Sequence, residues 1–151
     1  MEVIELDNAE FLSNVCQLIN EGHTVSIRVK GYSMRPFIES DRDAVTLGAI
    51  KGDLKVGDVV LAEIRPDMYV LHRIDAIQGN HVRLRGDGNV GQTEQCGKED
   101  VRAIALQIIR KGKTWNVTSR TWRLYSYLWV HLLPIRCYLL AIYRRVFISV
   151  K

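Results

Sequence analysis

The sequence has few cysteines and few prolines. Its 151 residues include three of each. Cys16, Cys96 and Cys137 lie far apart, and no two of them have the spacing of metal ligands or of a redox pair. This spacing excludes a disulfide framework and predicts reduced thiols. We therefore expect no metal and no cofactor.

Acidic residues are missing from the last quarter of the chain. All 17 Asp/Glu residues precede Arg110, whereas nine of the 21 Lys/Arg residues lie from Arg110 onward. Such an asymmetry is typical of a segment that meets an anionic partner, either a phospholipid surface or nucleic acid. Residues 1–109 have more acidic than basic residues, so we expect no anionic partner for that part of the chain.

No secretory signal pattern opens the chain. The stretch from Met1 to Glu10 carries four acidic residues, and no apolar run of adequate length follows it. This predicts a cytoplasmic protein, or one attached peripherally to a membrane through its basic tail. The 47% hydrophobic and 25% charged residues are typical of a globular protein. We expect a domain over residues 1–115 and a helical tail over 116–151.

The periodicity of apolar residues predicts a mainly β domain. A short amphipathic helix is expected at 8–20, and the alternation of Val25, Ile27 and Val29 predicts a strand. Further strands are predicted at 43–47, 58–64, 69–74, 81–85 and 101–110. The Gly79-Asn80 turn predicts a hairpin, and Val59–Ala62, apolar on both faces, predicts a central strand. The expected architecture is an antiparallel sheet.

The tail has a helical pattern from Ser119 to Val150, with a break expected at Pro134. A membrane-spanning helix needs about 20 mainly apolar residues, and His131, Pro134 and Arg136 interrupt this stretch. The apolar stripe with Trp and Tyr, bordered by arginines, instead fits helices that lie at a lipid interface through 119–150. The alternative is packing against the β domain or a second subunit, which leaves the oligomeric state open.

Ser33 is the first candidate for chemistry. It follows a predicted strand, comes two residues after Gly31 and precedes Pro36 by three. Gly31 would let a substrate backbone approach closely, and the proline would stiffen the turn. A surface turn is the alternative explanation.

His72 is the candidate base for this serine. In its predicted strand it shares a face with Val70 and Ile74, so its ring points inward. A serine hydroxyl needs a neighbouring base to become nucleophilic. The alternative is a structural core histidine. Asp87, in the turn that follows the hairpin, would either orient His72 or brace the backbone, or serve only as a turn residue.

These segments, in order and spacing, resemble the motifs of the type I signal peptidase and LexA-like peptidase families, over roughly residues 25 to 110. Most members pair serine with lysine, whereas archaeal and endoplasmic-reticulum signal peptidases carry histidine followed by arginine, as here. The matching segments are Gly31-Tyr32-Ser33-Met34-Arg35-Pro36, Gly57-Asp58-Val59-Val60, Val70-Leu71-His72-Arg73-Ile74 and Arg85-Gly86-Asp87-Gly88-Asn89.

The resemblance implies a signal-peptidase/LexA-like antiparallel β fold with a short N-terminal helix and a C-terminal helical segment. It also implies Ser33 as nucleophile and His72 as general base. The family's later aspartate is replaced here by the stretch Val90–Glu94. Asp87 is our choice for the third catalytic residue; Glu94, or a dyad without an acid, are the alternatives.

The resemblance further implies that substrates bind as an added strand. The residues expected to bind the substrate are Gly31, Tyr32, Met34 and Val70, and Met34 has an ordinary core position as its alternative. The expected function is a serine endopeptidase that cleaves a leader- or signal-like segment of protein substrates. A catalytically inactive peptide-binding module is the alternative. Nucleic acid is not an expected partner, because the basic tail carries no recognition motif.

Overall fold

The computed structural model describes residues 8–31 and 33–148. Over these residues the chain is mainly antiparallel β, with a helix before the strands and helices after them, which confirms the predicted fold class. The helices are α1 (Asn8–Asn20), α2 (Arg120–His131) and α3 (Arg136–Tyr143). The strands are β1 (Val25–Arg28), β2 (Ala44–Gly48), β3 (Val59–Arg65), β4 (Met68–Gln78), β5 (His81–Arg85), β6 (Glu94–Gly97), β7 (Val101–Arg110) and β8 (Lys113–Asn116).

The strands form one open sheet. Its order is β1-β2-β7-β3-β4-β5-β6, and β8 also pairs with β7. β3 lies in the middle and is buried on both faces, as its unbroken apolar run predicted. Val59 and Leu61 belong to one core cluster, whereas Val60 and Ala62 belong to the other. Successive side chains of a strand point to opposite faces, so β3 supplies both cores.

The predicted hairpin is confirmed. Gln78 pairs with His81 across the two-residue turn Gly79-Asn80, and Gly79 has a φ of 58°, a conformation that favours glycine. β4 is longer than predicted, because the sequence pattern is interrupted by an irregularity between Ile74 and Ala76. β5 pairs with β4 only from Arg73 onward. The first half of β4 therefore extends beyond its partner.

The tail is broken where Pro134 predicted a break. Ser119 caps α2, its Oγ accepting a hydrogen bond from the backbone N–H of Trp122 at 3.2 Å. Pro134 lies in a short 3₁₀ turn between α2 and α3, and the two helical segments differ in direction by 70°. Val150, at the end of the predicted helical stretch, lies outside the described residues.

Membrane-spanning potential is limited in the described residues. No single helix among them is both long enough and apolar enough to cross a bilayer. The bent pair formed by Arg120–His131 and Leu133–Val146 meets the length and composition criteria only when its two parts are taken together.

The tail packs its tryptophans against the β domain. Trp122 and Trp129 are buried, and Trp115 is half-buried. The ring of Phe37 lies 4.9 Å from that of Trp122 and 5.8 Å from that of Trp115, both edge to face. The expectation that tryptophans form part of a lipid-facing stripe is therefore corrected. Trp115 and Trp122 complete the core beside Phe37, and Trp129 donates a hydrogen bond to the Asp87 carbonyl.

Candidate active site

Ser33 lies in the turn region after β1 and packs against the turn that follows β5. Its backbone carbonyl accepts a hydrogen bond from the N–H of Gly88 at 2.7 Å. A Cβ atom placed on Gly86 would overlap Ser33 O and lie 3.0 Å from Ser33 Cβ. Only glycine allows so close an approach at position 86. The Gly86–Gly88 turn therefore fixes the position of Ser33.

His72 lies in β4 on the face that its periodicity predicted. It is opposite Val60, on the same side of the strand as Val70 and Ile74. The ring is buried, with 5% of the residue exposed. A buried imidazole needs hydrogen-bond partners, and the contacts of this ring decide which role it can take.

Glu94 is the partner of the His72 ring. Glu94 Oε2 lies 2.8 Å from His72 Nδ1, and the carboxylate is largely buried. The contact forms because β6 begins at Glu94, which pairs with Leu84 of β5. A neutral His72 that donates from Nδ1 to this carboxylate keeps the lone pair on Nε2. A free lone pair on Nε2 is what a general base requires.

The strand register places His72 level with the turn against which Ser33 packs. β4 and β5 are antiparallel and Arg73 pairs with Arg85. The residue before Arg73, which is His72, is therefore level with the residue after Arg85, which is Gly86, and Ser33 packs against Gly86. Among the described residues, Ser33 Oγ makes no hydrogen bond. Bonds between nucleophile and base are often long without substrate and shorten in its complex.

Asp87 does not orient His72, which corrects the prediction for this residue. Its two carboxylate oxygens each accept a hydrogen bond from Arg73, from Nε and Nη2, at 2.7 Å. The reason is strand geometry: Arg73 follows His72 directly in β4, so the two side chains leave opposite faces of the sheet. Asp87 lies on the arginine's side, and Glu94 lies on the histidine's side.

The Arg73–Asp87 pair instead braces the backbone behind the candidate site. Arg73 Nη1 donates to the carbonyl of Gly57 at 2.9 Å. Tyr125 OH donates to Asp87 Oδ2 at 3.1 Å, and Trp129 Nε1 donates to the Asp87 carbonyl at 3.0 Å. The turn that holds Ser33 is therefore tied to β4 and to the tail.

The Asp87 carboxylate stabilises the protonated forms of Arg73 and Tyr125. Burial opposes the charged form of Arg73, but the adjacent Asp87 carboxylate outweighs this effect and raises the pKa of the guanidinium. Burial and the same carboxylate raise the pKa of Tyr125 well above its ordinary value. Tyr125 therefore keeps its proton and remains a hydrogen-bond donor to Asp87.

The residues predicted to bind substrate differ in their positions. Gly31 is exposed, has a φ of 86° and donates its N–H to Ser40 Oγ at 3.0 Å. Val70 is half-buried on the face of His72. Met34 is buried in the core with 1% exposure, so its predicted substrate contact is corrected to a packing role. Tyr32 lies outside the described residues.

One edge of β4 is open beside His72. Residues Met68–His72 pair with β3 on one side, while β5 pairs only with Arg73–Gln78 on the other. Over the described residues, no strand covers the second edge of Met68–His72. Such an edge presents backbone groups that can pair with an added strand.

The residues around the candidate site offer no metal centre. Over residues 8–31 and 33–148, no group of three or more His, Cys, Asp or Glu side chains is arranged to hold a metal ion. A shallow concavity lies on the tail side of the sheet rather than at Ser33. It is lined by Arg73, Asp75, Arg85, Asp87, Val130 and Arg136.

Comparisons of the chain with protein-family models, curated proteins and solved structures find no match. The site therefore has to be interpreted from its own geometry. Sequence reasoning gave Glu94 only as an alternative, because β6 has no clear alternation. It missed Tyr125 and Trp129 as partners of Asp87, since nothing in a helical pattern indicates which loop a helix will cover.

Proposed function

We propose that this chain is a serine endopeptidase of the signal-peptidase/LexA type, with Ser33 as nucleophile, His72 as general base and Glu94 as the residue that orients the base. The observation that carries the proposal is the His72–Glu94 hydrogen bond of 2.8 Å, made by a histidine that the strand register places level with the turn against which Ser33 packs. A base held by a carboxylate next to a serine is the arrangement used for acyl transfer.

In the proposed reaction, His72 Nε2 takes the proton of Ser33 Oγ as the oxygen attacks a peptide carbonyl. The ring becomes cationic, and the Glu94 carboxylate stabilises that charge. His72 then gives the proton to the leaving amine, which departs as the acyl-enzyme forms. Water, deprotonated by the same ring, attacks the ester and releases Ser33.

The developing oxyanion needs hydrogen-bond donors near the serine. The backbone N–H of Ser33 makes no hydrogen bond among the described residues and is our candidate donor. Backbone amides are effective in this role because they are fixed before the reaction begins. The hydrogen bond from the Gly88 N–H to the Ser33 carbonyl would hold the backbone of Ser33 in place.

The substrate is proposed to be an extended protein segment of leader or signal type. The open edge of Met68–His72 supports this, because a peptide paired there would run past the His72 side chain. Val70, on the same face as His72, would lie beside the substrate side chains. The family resemblance adds a preference for small residues near the cleaved bond.

A serine-reactive phosphonate probe tests the nucleophile. We expect the wild-type chain to be labelled and Ser33→Ala to lose labelling, while Ser26→Ala, which changes an exposed strand serine, is labelled like wild type. His72→Ala should slow labelling about a hundredfold near neutral pH, because the serine loses its base. Mass spectrometry of the labelled peptide identifies the modified residue.

Equal labelling of Ser33→Ala and wild type would refute the proposed nucleophile. Equal labelling of His72→Ala and wild type would refute the proposed base. The alternative of an inactive peptide-binding module predicts no labelling of any of these proteins, together with binding of an extended peptide that changes when Met68–His72 is substituted.

A further inference from the structure

The outer side of the tail is apolar and uncovered. Seven large hydrophobic residues of this segment are each at least 45% exposed, among them Leu124 at 60% and Tyr138 at 69%. Scattered exposed apolar residues are ordinary, but a concentration in one segment marks an interaction surface. We call these seven residues the outer tail face. They are Leu124, Tyr127, Leu128, Ile135, Tyr138, Ile142 and Val146.

The outer tail face is exposed although the helices that carry it are well packed on their other side. On the opposite side of the same helices, Trp122, Trp129 and Leu140 are buried; Trp122 belongs to the core of the β domain and Trp129 donates to the Asp87 carbonyl. Arg136 Nη2 also donates to the carbonyl of Trp129 at 2.6 Å, which ties α3 to α2. The tail therefore has an inner side that is satisfied and an outer side that is apolar.

The charge around the outer tail face has a single sign. Arg120, Arg123, Arg144 and Arg145 are exposed in the same segment, and no Asp or Glu occurs from residue 110 to the end. Exposed Leu and Ile next to Tyr and Arg are the composition of helices that lie at a membrane interface. Each arginine near an anionic bilayer strengthens binding about fivefold.

From this combination we infer that the outer tail face binds the surface of an anionic phospholipid bilayer, with its apolar side chains in the acyl boundary and its arginines at the headgroups. A second copy of the tail fits poorly, because it would bring arginines against arginines. The apolar side chains would gain nothing from the phosphate backbone of nucleic acid.

The geometry favours helices that lie on the bilayer rather than cross it. The 70° change of direction at Pro134 prevents a continuous span. The inner side is also held to the β domain, where Tyr143 OH donates to Glu39 Oε2 at 3.1 Å and Trp129 Nε1 donates to Asp87 O. Crossing would require these contacts to break, whereas surface binding leaves them intact.

Vesicle flotation of the full-length chain tests this inference. We expect binding to phosphatidylcholine vesicles that contain phosphatidylglycerol, and weak binding to phosphatidylcholine alone. Leu124→Ser and Leu128→Ser should each reduce partitioning about tenfold, because each removes an exposed apolar side chain that the bilayer would bury. Matched controls are Val56→Ser and Met68→Ser, which change exposed apolar residues of the β domain and should bind like wild type.

A charge series completes the test. Arg123→Gln should reduce binding to the anionic vesicles about fivefold, and raised salt should weaken wild-type binding, whereas Lys51→Gln in the β domain should have no effect. Circular dichroism verifies that each variant is folded. Ser33→Ala should bind vesicles like wild type, so this test is independent of the proposed peptidase activity.

Three outcomes would overturn the inference. One is equal binding to vesicles with and without phosphatidylglycerol. Another is the absence of vesicle binding combined with dimer formation that Leu124→Ser abolishes, which would assign the outer tail face to a second copy. The third is binding to RNA, but not to vesicles, that Arg123→Gln weakens.

Discussion

His72 Nδ1 lies 2.8 Å from Glu94 Oε2. His72 belongs to β4 and Glu94 to β6, and these two strands are not consecutive in the chain. β5 separates β4 from β6 in the sheet. Glu94 reaches the ring because the first half of β4 extends beyond β5. The same extension leaves the edge of β4 open, so one feature of the strand lengths accounts for both the Glu94 contact and the unpaired edge.

Glu94→Gln tests the role of this contact. We expect the rate of Ser33 labelling to fall about a hundredfold, because an amide can hold the wrong tautomer of His72 and cannot stabilise its cation. Quenching the labelling reaction at a series of times and measuring the labelled fraction by mass spectrometry gives the rate. Glu99→Gln, at an exposed acid, is the matched control. An unchanged rate in Glu94→Gln would mean that the serine works with His72 alone.

Asp87→Asn tests the brace on the other side of the sheet. The variant leaves Arg73 charged and buried without its ion pair, so we expect a loss of about 3 kcal/mol in the free energy of unfolding. Urea denaturation measures it. Glu63→Gln breaks the more exposed pair with Arg102 and should cost less than about 1 kcal/mol. Equal losses in the two variants would contradict the bracing role.

Gly86→Ala tests how Ser33 is positioned. The added methyl group would overlap the Ser33 carbonyl and approach Ser33 Cβ to 3.0 Å, so we expect Ser33 to shift and labelling to fall at least about tenfold. Gly91→Ala is the control, because a Cβ there meets no atom within 4 Å. If Gly86→Ala is folded and labelled at the wild-type rate, the Gly86 turn does not place the nucleophile.

The acid stability of the chain should depend on Asp43. This residue is fully buried; burial alone would raise its pKa, but the hydrogen bond from Arg42 and the N–H groups of Glu39 and Lys111 outweigh this and lower it. A depressed pKa contributes stability above the unfolded value of 3.8, and the contribution is lost as the pH falls through the folded value.

Urea midpoints between neutral pH and pH 3 measure this effect. Asp43→Asn should lower the midpoint at neutral pH and reduce its fall in acid, because the titrating group is gone. The difference between variant and wild type isolates Asp43 from other carboxyl groups. Asp53→Asn, at an exposed position, should follow the wild-type curve. A wild-type pH dependence in Asp43→Asn would assign the acid sensitivity to other residues.

The three thiols should differ in reactivity. Cys137 is exposed, whereas Cys16 and Cys96 are buried. Burial, with Asp100 and Glu99 nearby, raises the pKa of Cys96 to about 11, so roughly one molecule in a thousand carries this thiolate at pH 8. Reaction with a disulfide reagent at pH 8 should show one fast thiol, and Cys137→Ser should remove it. Three fast thiols in the folded protein would contradict these environments.

The sequence alone determined the local part of this protein. Periods of two and of three to four residues predicted α1, the break at Pro134 and every strand except β6 and β8, because these patterns follow from which faces must be buried. The same alternation put the ring of His72 on the face of Val70 and Ile74. Ser33 stood out because it follows a strand and lies among turn-forming residues.

Only the tertiary structure decided which carboxylate contacts His72 and which contacts Arg73. Asp87 and Glu94 are both close to the hairpin in sequence, and the choice between them depends on the sheet face on which each arrives. That face is set by pairing across β5 and by the cover that α2 provides. Hydrogen bonds and ion pairs act over a few ångströms between residues far apart in the chain, so the order of residues does not fix them, whereas strand register and packing do.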